Sequence, residues 1–260
     1  MSTECCSGIG VVVRTGSRTA GTVPERPELR LLDGFELVCA GSPVQLPLSA
    51  QRLLVFVALH DRPLQRTYVA GSLWLDSPEE RAYANLRSAL WRLHRCGVRV
   101  VRSFGQQLSL EPTVAVDLRR AEALARRTLD GTGGEPDGEI ETSLLRRDLL
   151  PDWYDEWIVL ERERYRQLRL RALDALCERL TQAGRLDAAL EVGLAAVAGE
   201  PLRESSHRAV IRAHRADGNA AEAIRQYRLC RRLLHEHLGV EPSGQMEDLM
   251  RSLHVAETAR

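Results

Sequence analysis

The chain has no lysine. All 36 of its basic side chains are arginines, matched by 36 Asp and Glu, so the 260 residues carry a formal net charge of zero. A balanced chain offers no global field for nucleic acid or an anionic membrane, and any such affinity has to come from a local cluster. The missing lysine also excludes a phosphate loop of the G-x-x-x-x-G-K type, and neither G-x-S-x-G nor G-x-G-x-x-G is present. The six cysteines, at positions 5, 6, 39, 96, 177 and 230, form no C-x-x-C, so neither a zinc site nor a disulfide framework follows. No apolar run approaches the roughly 18 residues of a membrane span. The run Ile9 to Val13 is too short for a secretion signal and has no basic flank before it. A cytoplasmic protein without membrane contact is expected.

Constellations that carry catalysis are equally scarce. Seven histidines are scattered along the chain. His235 and His237 are two apart and point to different sides of a helix, while His207 and His214 share a face with no carboxylate or cysteine pattern beside them. The pair Glu79-Glu80 is explained by the preference of a helix N-terminus for anions. No catalytic residue, no metal site and no cofactor is expected, and the chain reads as something other than an enzyme.

What the chain does have is 44% hydrophobic residues, enough for real cores, and a length suited to two domains. Its most patterned stretch is Ser77 to Arg95. Ser77 as N-cap, Pro78 at the first helical position and Glu80 completing a capping box predict a helix start. Ala82, Leu86, Ala89, Leu90 and Leu93 then recur at helical spacing. Arg81, Ser88, Arg92 and Arg95 share the opposite face. From Arg81 to Leu110 there is no Asp or Glu, yet six arginines (81, 87, 92, 95, 99 and 102) fall in those thirty residues. Such a run is usually a solvated face. Its sharper reading is the electrostatic footprint of a phosphate-binding surface, with the helix lying in the major groove of DNA.

The flanking elements favour the sharper reading. Residues 1–27 read as a disordered tail. Short runs at Leu29–Leu32, Phe35–Val38 and Val44–Leu48, broken by Asp33-Gly34 and Gly41-Ser42-Pro43, predict a small antiparallel sheet. Ser49 is expected to cap a helix over Ala50–His60, and a short helix follows over Thr67–Trp74. After the arginine-bearing helix, Cys96-Gly97 is a stop. Val98 to Val101 and Gln107 to Leu110 then predict a hairpin. Sheet, three helices and hairpin, in that order, describe a winged helix-turn-helix over 28–112.

From 113 to 260 the chain reads as helical. A helix is expected over Leu118–Leu129, a flexible loop over Asp130–Glu139, and a long helix over Asp155–Ala183 with Glu161-Arg162-Glu163-Arg164 on its exposed side. Trp153, Tyr154 and Trp157 near its start are read as packing residues. Ala183-Gly184-Arg185-Leu186-Asp187-Ala188-Ala189-Leu190 is echoed by Asp217-Gly218-Asn219-Ala220-Ala221-Glu222-Ala223-Ile224, with the glycines 34 apart, the tetratricopeptide period. Pro201 is expected to start the helix after the first pair. The fold class expected is thus an α+β winged helix-turn-helix followed by an all-α, tetratricopeptide-like helical domain.

The residues also resemble a known family. Gln51-Arg52-Leu53-Leu54, Leu73-Trp74 and Ala84-Asn85-Leu86-Arg87-Ser88-Ala89-Leu90-Trp91-Arg92-Leu93 are similar to the OmpR-type winged helix of the Streptomyces antibiotic regulatory proteins. Leu149-Leu150-Pro151-Asp152-Trp153-Tyr154-Asp155, Glu161-Arg162-Glu163-Arg164, Glu200-Pro201-Leu202-Arg203-Glu204 and Leu238-Gly239-Val240-Glu241-Pro242 resemble their second part, the bacterial transcriptional activation domain. The resemblance implies a transcriptional activator of a biosynthetic or developmental gene cluster that binds promoter repeats in double-stranded DNA, alone or as a homodimer, and recruits RNA polymerase holoenzyme. It implies a small member, without receiver domain or ATPase module. Carried over by position, it makes Arg92 the groove-reading arginine of a recognition helix at about Pro78–Arg95, with Arg87, Ser88 and Trp91 at neighbouring contact positions. Arg81, Asn85, Arg95 and Arg102 complete the expected DNA-binding set. Trp91, often polar in relatives, would stack on sugar and phosphate or pack against the second domain. The alternative is a helical-repeat adaptor with a degenerate DNA-binding domain.

Overall fold

The computed structural model describes residues 26–132 and 139–258, with backbone alone at 139–141 and 253–258. The tail expected over 1–27 therefore lies, but for its last two residues, outside the described residues. So does the stretch 133–138 of the loop expected at 130–139.

The first three strands are β1 (Glu28–Arg30), β2 (Glu36–Cys39) and β3 (Ser42–Pro43). They form an antiparallel meander, Leu29 opposite Leu37 and Cys39 opposite Ser42. Asp33 at φ 65° and the pair Ala40 (φ 48°) and Gly41 (φ 72°) occupy left-handed backbone at the two turns, as tight hairpin turns require. Next come α1 (Leu48–Ala58), β4 (Leu64–Gln65), α2 (Arg66–Leu73), α3 (Glu79–Arg95), β5 (Val101–Phe104) and β6 (Gln107–Leu110). β5 and β6 make the expected hairpin, and β4 joins it along β6, giving a second sheet of order β4-β6-β5. This is the winged helix-turn-helix arrangement.

The sequence predicts a wholly antiparallel first sheet, and the structure differs. β7 (Ala115–Val116) adds beside β1 in parallel, giving order β3-β2-β1-β7. Asp117, the next residue, explains the docking. Its buried carboxylate accepts hydrogen bonds from the backbone N–H of Leu31 (2.8 Å), Leu32 (3.1 Å) and Leu118 (2.7 Å). Burial pushes its pKa up, and those three donors pull the other way.

The remaining helices are α4 (Asp117–Asp130), α5 (Glu139–Leu144), α6 (Glu156–Gln182), α7 (Leu186–Gly199), α8 (Glu204–Ala216), α9 (Ala220–Leu238) and α10 (Gly244–Thr258). α6 is the axis: α4 packs along it, α7 and α8 lie against it, and α8 carries α9 and α10. The two echoed turns close alike. Gly184 and Gly218 are both at φ 74°. The N–H of Arg185 bonds the carbonyl of Leu180 and that of Asn219 the carbonyl of His214, each at 2.9 Å. Ala189 and Ala223, one turn on, are fully buried. Gly193 shows how close the helices approach: a Cβ there would lie 2.8 Å from Val210 Cγ2 and 3.0 Å from Cys177 Sγ.

Three helix starts differ from expectation. α1 begins at Leu48 with Pro47 in the cap position, so Ser49 lies inside the helix. α3 begins at Glu79 with extended Pro78 (ψ 148°) as the cap residue and no side-chain capping bond. A proline has no N–H to satisfy but keeps its carbonyl, and Pro78 accepts from Ala82 at 2.9 Å, while Ser77 closes a turn on Trp74. α8 starts at Glu204, and Pro201 lies in the preceding turn.

One apolar core spans the winged helix and the start of the helical layers. It holds Leu29, Leu53, Leu86, Leu93 and Leu108 together with Val116, Leu149, Leu150, Ile158 and Tyr165. The strap Leu149–Trp153 enters this core. Leu150, at φ 42°, is fully buried and donates to the carbonyl of Leu31 at 3.0 Å. Trp153 stacks on Phe35 (6.2 Å between centroids) and Trp157 meets Phe56 edge-on (5.2 Å). Tyr154, between them, is 84% exposed and packs nothing away.

Arg162 departs from the expectation of an exposed Glu-Arg-Glu-Arg face. Half-buried, it turns inward and donates to the carbonyls of Leu149 (2.9 Å), Trp153 (2.5 Å) and Leu150. Carbonyls taken from water need a donor, and the guanidinium fork supplies several in one plane. Arg162→Met should therefore destabilise the protein by roughly 2–4 kcal/mol in urea unfolding, because the Leu149 and Trp153 carbonyls lose the guanidinium donor while the Leu150 carbonyl keeps only the Trp153 N–H.

His207, fully buried in α8, has Nε2 2.9 Å from the Pro201 carbonyl and Nδ1 2.8 Å from the Gln226 amide nitrogen. A carbonyl only accepts, so Nε2 carries the proton and Nδ1 accepts. Burial holds the ring's pKa below its ordinary 6.5. The folded state thus binds that proton less readily than the unfolded chain. Its contribution is present above pH 6.5 and is lost as the pH falls through the depressed folded value. Unfolding free energy should decline on acidification, and the His207→Gln variant should show a flatter curve, by up to about 1.4 kcal/mol per pH unit.

Candidate nucleic-acid interface

α3 is built so that its two faces have opposite fates. Ala82, Leu86, Ala89, Leu90 and Leu93 are buried against α1 and α2. On the far side Arg81, Ser88, Arg92 and Arg95 form one exposed stripe. Half-buried Asn85 borders it on one flank, and Trp91 and Arg87, both exposed, border it on the other. The helix thus brings seven of the eight expected residues together on one surface. The eighth, Arg102, lies on β5, exposed and opposite Ser109 of β6.

Three of these side chains are already oriented. Arg92 Nη1 donates to Ser49 Oγ at 2.9 Å. The hydroxyl expected to cap α1 therefore steadies an arginine of α3. The Arg95 guanidinium carbon lies 4.8 Å from the centroid of the Trp91 ring, a cation–π arrangement that holds both side chains along the helix. Trp91 is 57% exposed, so stacking beneath Arg95 accounts for one face of the ring and leaves much of its surface to solvent.

Arg66 was not legible as part of this surface. It lies fifteen residues before the acid-free stretch, yet its N–H donates to the Gln106 carbonyl (2.9 Å) and its Nη2 to Ser103 Oγ (3.3 Å). The β4–β6 pairing, which brings Gln65 opposite Gln107, carries it there. Only the short Leu64-Gln65 strand could have signalled this, and two residues carry no period. Acidic groups keep to the rim: Glu79 and Glu80 sit in the first turn of α3, where the helix dipole favours them.

Among the described residues no group of three His, Cys, Asp or Glu is placed to hold a metal ion. Among the described cysteines, burial pushes the thiols of Cys177 and Cys230 up to about 11, far from the range of a nucleophile at neutral pH. What the surface offers is a row of planar hydrogen-bond donors beside an aromatic ring.

The chain is 30% identical over 241 residues to the regulatory protein AfsR of Streptomyces griseus, covering 86% of this chain and 24% of that protein. To AfsR of Streptomyces coelicolor it is 29% identical over 239 residues, covering 86% and 23%. It therefore spans about a quarter of the length of these curated relatives. Among solved structures it is similar to Mycobacterium tuberculosis EmbR in complex with a low affinity phosphopeptide. The TM-score is 0.69 at 20% identity, over 89% of this chain and 65% of that one, which is a likeness of fold. The model of the bacterial transcriptional activator domain matches residues 116–254, more than half of the chain. With that match and those relatives, the chain belongs to the bacterial transcriptional activator domain family, among transcriptional regulators of the Streptomyces antibiotic regulatory protein type.

Proposed function

We propose that this protein is a sequence-specific DNA-binding activator of transcription and not an enzyme. The observation that carries the reading is the stripe Arg81, Ser88, Arg92 and Arg95 on α3, exposed while the opposite face of the same helix is buried. In a chain of zero net charge it stands within thirty residues free of acid. α3 would lie in the major groove. Arg92, held by Ser49, would read a base edge, and Arg81, Arg87, Arg95 and Arg102 would neutralise phosphates. Asn85 and Ser88 would add hydrogen bonds, and Trp91 would meet sugar and phosphate with its exposed face.

In this reading residues 28–112 form the DNA-binding unit, and residues 113–260 form a tetratricopeptide-like activation domain that contacts RNA polymerase holoenzyme or a second copy on adjacent promoter sites. The matched turns at Gly184 and Gly218 support the repeat. The regulated genes would be a biosynthetic cluster and the compartment the cytoplasm. These last assignments rest on the family.

Binding to duplexes enriched from a random-core library tests the proposal. Affinity should fall steeply with salt, by roughly 0.9 log units per log unit of salt for each phosphate neutralised. Arg92→Ala should cost about 1–3 kcal/mol and relax preference at one base position. A wild-type chain that prefers no duplex over random DNA at moderate salt would overturn the reading in favour of a helical adaptor.

A further inference from the structure

The hairpin carries an aromatic ring that neither the core nor the arginine stripe explains. Of the chain's three phenylalanines, Phe56 is buried and Phe35 packs against the first core, while Phe104 is 77% exposed. It ends β5 at the hairpin tip, next to Gly105 at φ 56° in the turn. Successive residues of a strand face opposite ways. Val101 and Ser103 share the inner face with their partners Leu110 and Leu108, both buried. Arg102 and Phe104 therefore share the outer face with Ser109 and Gln107.

The tip is braced. β4 pairs with β6, the Arg66 N–H donates to the Gln106 carbonyl at 2.9 Å, and Arg66 Nη2 donates to Ser103 Oγ at 3.3 Å. Burying a phenylalanine ring is favourable, yet this bracing holds the ring out in water. Its surroundings are cationic: Arg102 lies on its own face, Arg66 behind it, and the nearest acid along the chain is Glu111. An apolar ring on a positively charged tip is complementary to a polyanion that has apolar edges. Duplex DNA, with charged backbones along a groove floored by stacked bases, has that chemistry.

We infer that Phe104 is an apolar wedge for the minor groove of duplex DNA, pressing on a base step while Arg102, on the same face, pairs with a flanking phosphate. The inference rests on the DNA-binding reading above and adds to it. Side chains that unstack a step favour sequences that deform easily. A pyrimidine–purine step under the hairpin should therefore be preferred although no hydrogen bond reads it.

The test uses the full chain and a duplex enriched from a random-core library, with 2-aminopurine substituted at successive positions beyond the major-groove site. Wild type should raise 2-aminopurine fluorescence at one step. Phe104→Ala should abolish that rise and weaken binding about tenfold or more, with an unchanged salt slope. Phe104→Leu should keep most of the affinity. Arg102→Ala should instead lower the salt slope by about one. Because the ring is exposed, the Phe104 variants should melt as wild type does. If Phe104→Ala matches wild type in affinity and fluorescence while Arg92→Ala still weakens binding, the wedge is overturned and the DNA-binding reading stands. If wild type enriches no duplex, both fall.

Discussion

Three carbonyl oxygens, those of Leu149, Leu150 and Trp153, converge on one guanidinium, and the union of the two halves of this protein depends on it. A strap that enters an apolar core leaves its backbone acceptors without water, and each unpaired acceptor would oppose the burial that draws the strap in. Arg162 meets all three from the second turn of α6. With that solved, Leu150 can stay buried at a left-handed φ, Trp153 can stack on Phe35 and Trp157 can pack on Phe56. Arg52 fastens the joint from the other side, donating to the Leu73 carbonyl at the end of α2 (3.0 Å) and to Asp155 just ahead of α6 (2.5 Å). The turn between α2 and α3 is thereby set by contacts with the helical layers as well as by the winged helix itself.

The charge economy follows a different logic. Many of the described arginines outside α3 have carboxylate partners close by, such as Arg166 with Glu163 and Glu200, Arg203 with Asp174, and Arg146 with Glu191. Arg166–Glu200 and Arg203–Asp174 tie α6 to the end of α7 and the start of α8, Arg146–Glu191 ties the segment after α5 to α7, and all of them leave little net field. On α3 the steadying partners are instead neutral, the hydroxyl of Ser49 and the ring of Trp91. Neutral partners orient a guanidinium without cancelling its charge. A chain with zero net charge can in this way keep one strongly positive surface.

How much of this was legible depended on the range of the interaction. The two faces of α3, the stop at Gly97, the hairpin and the repeated Gly184 and Gly218 turns are written in local spacing, and the sequence predicted each. The helix starts are less legible, because Ser49 and Ser77 have the chemistry of caps while the neighbouring Pro47 and Pro78 hold the cap positions. Long-range partners were invisible. The inward turn of Arg162, the parallel addition of β7, the bond from Arg92 to Ser49 and the bracing of the hairpin by Arg66 each join residues whose neighbours give no period. Trp91 was visible as an anomaly, and its stacking under Arg95 was not, although the two are four residues apart on one helix.

The strap also bears on how the chain is made. Leu149 bridges to Leu32, and Ile158 and Tyr165 are buried in the same core as Leu29 and Leu53. A ribosome working from the N-terminus releases the three helices and hairpin of the winged helix long before it reaches the residues that close their core. At bacterial rates of roughly 5–20 residues per second, the interval is on the order of seconds. During that interval the leucines of the first sheet and α1 have no permanent cover. The arginine-bearing helix α3 has already emerged when this interval opens, and its like charges oppose association between neighbouring nascent chains while the core waits for Tyr165.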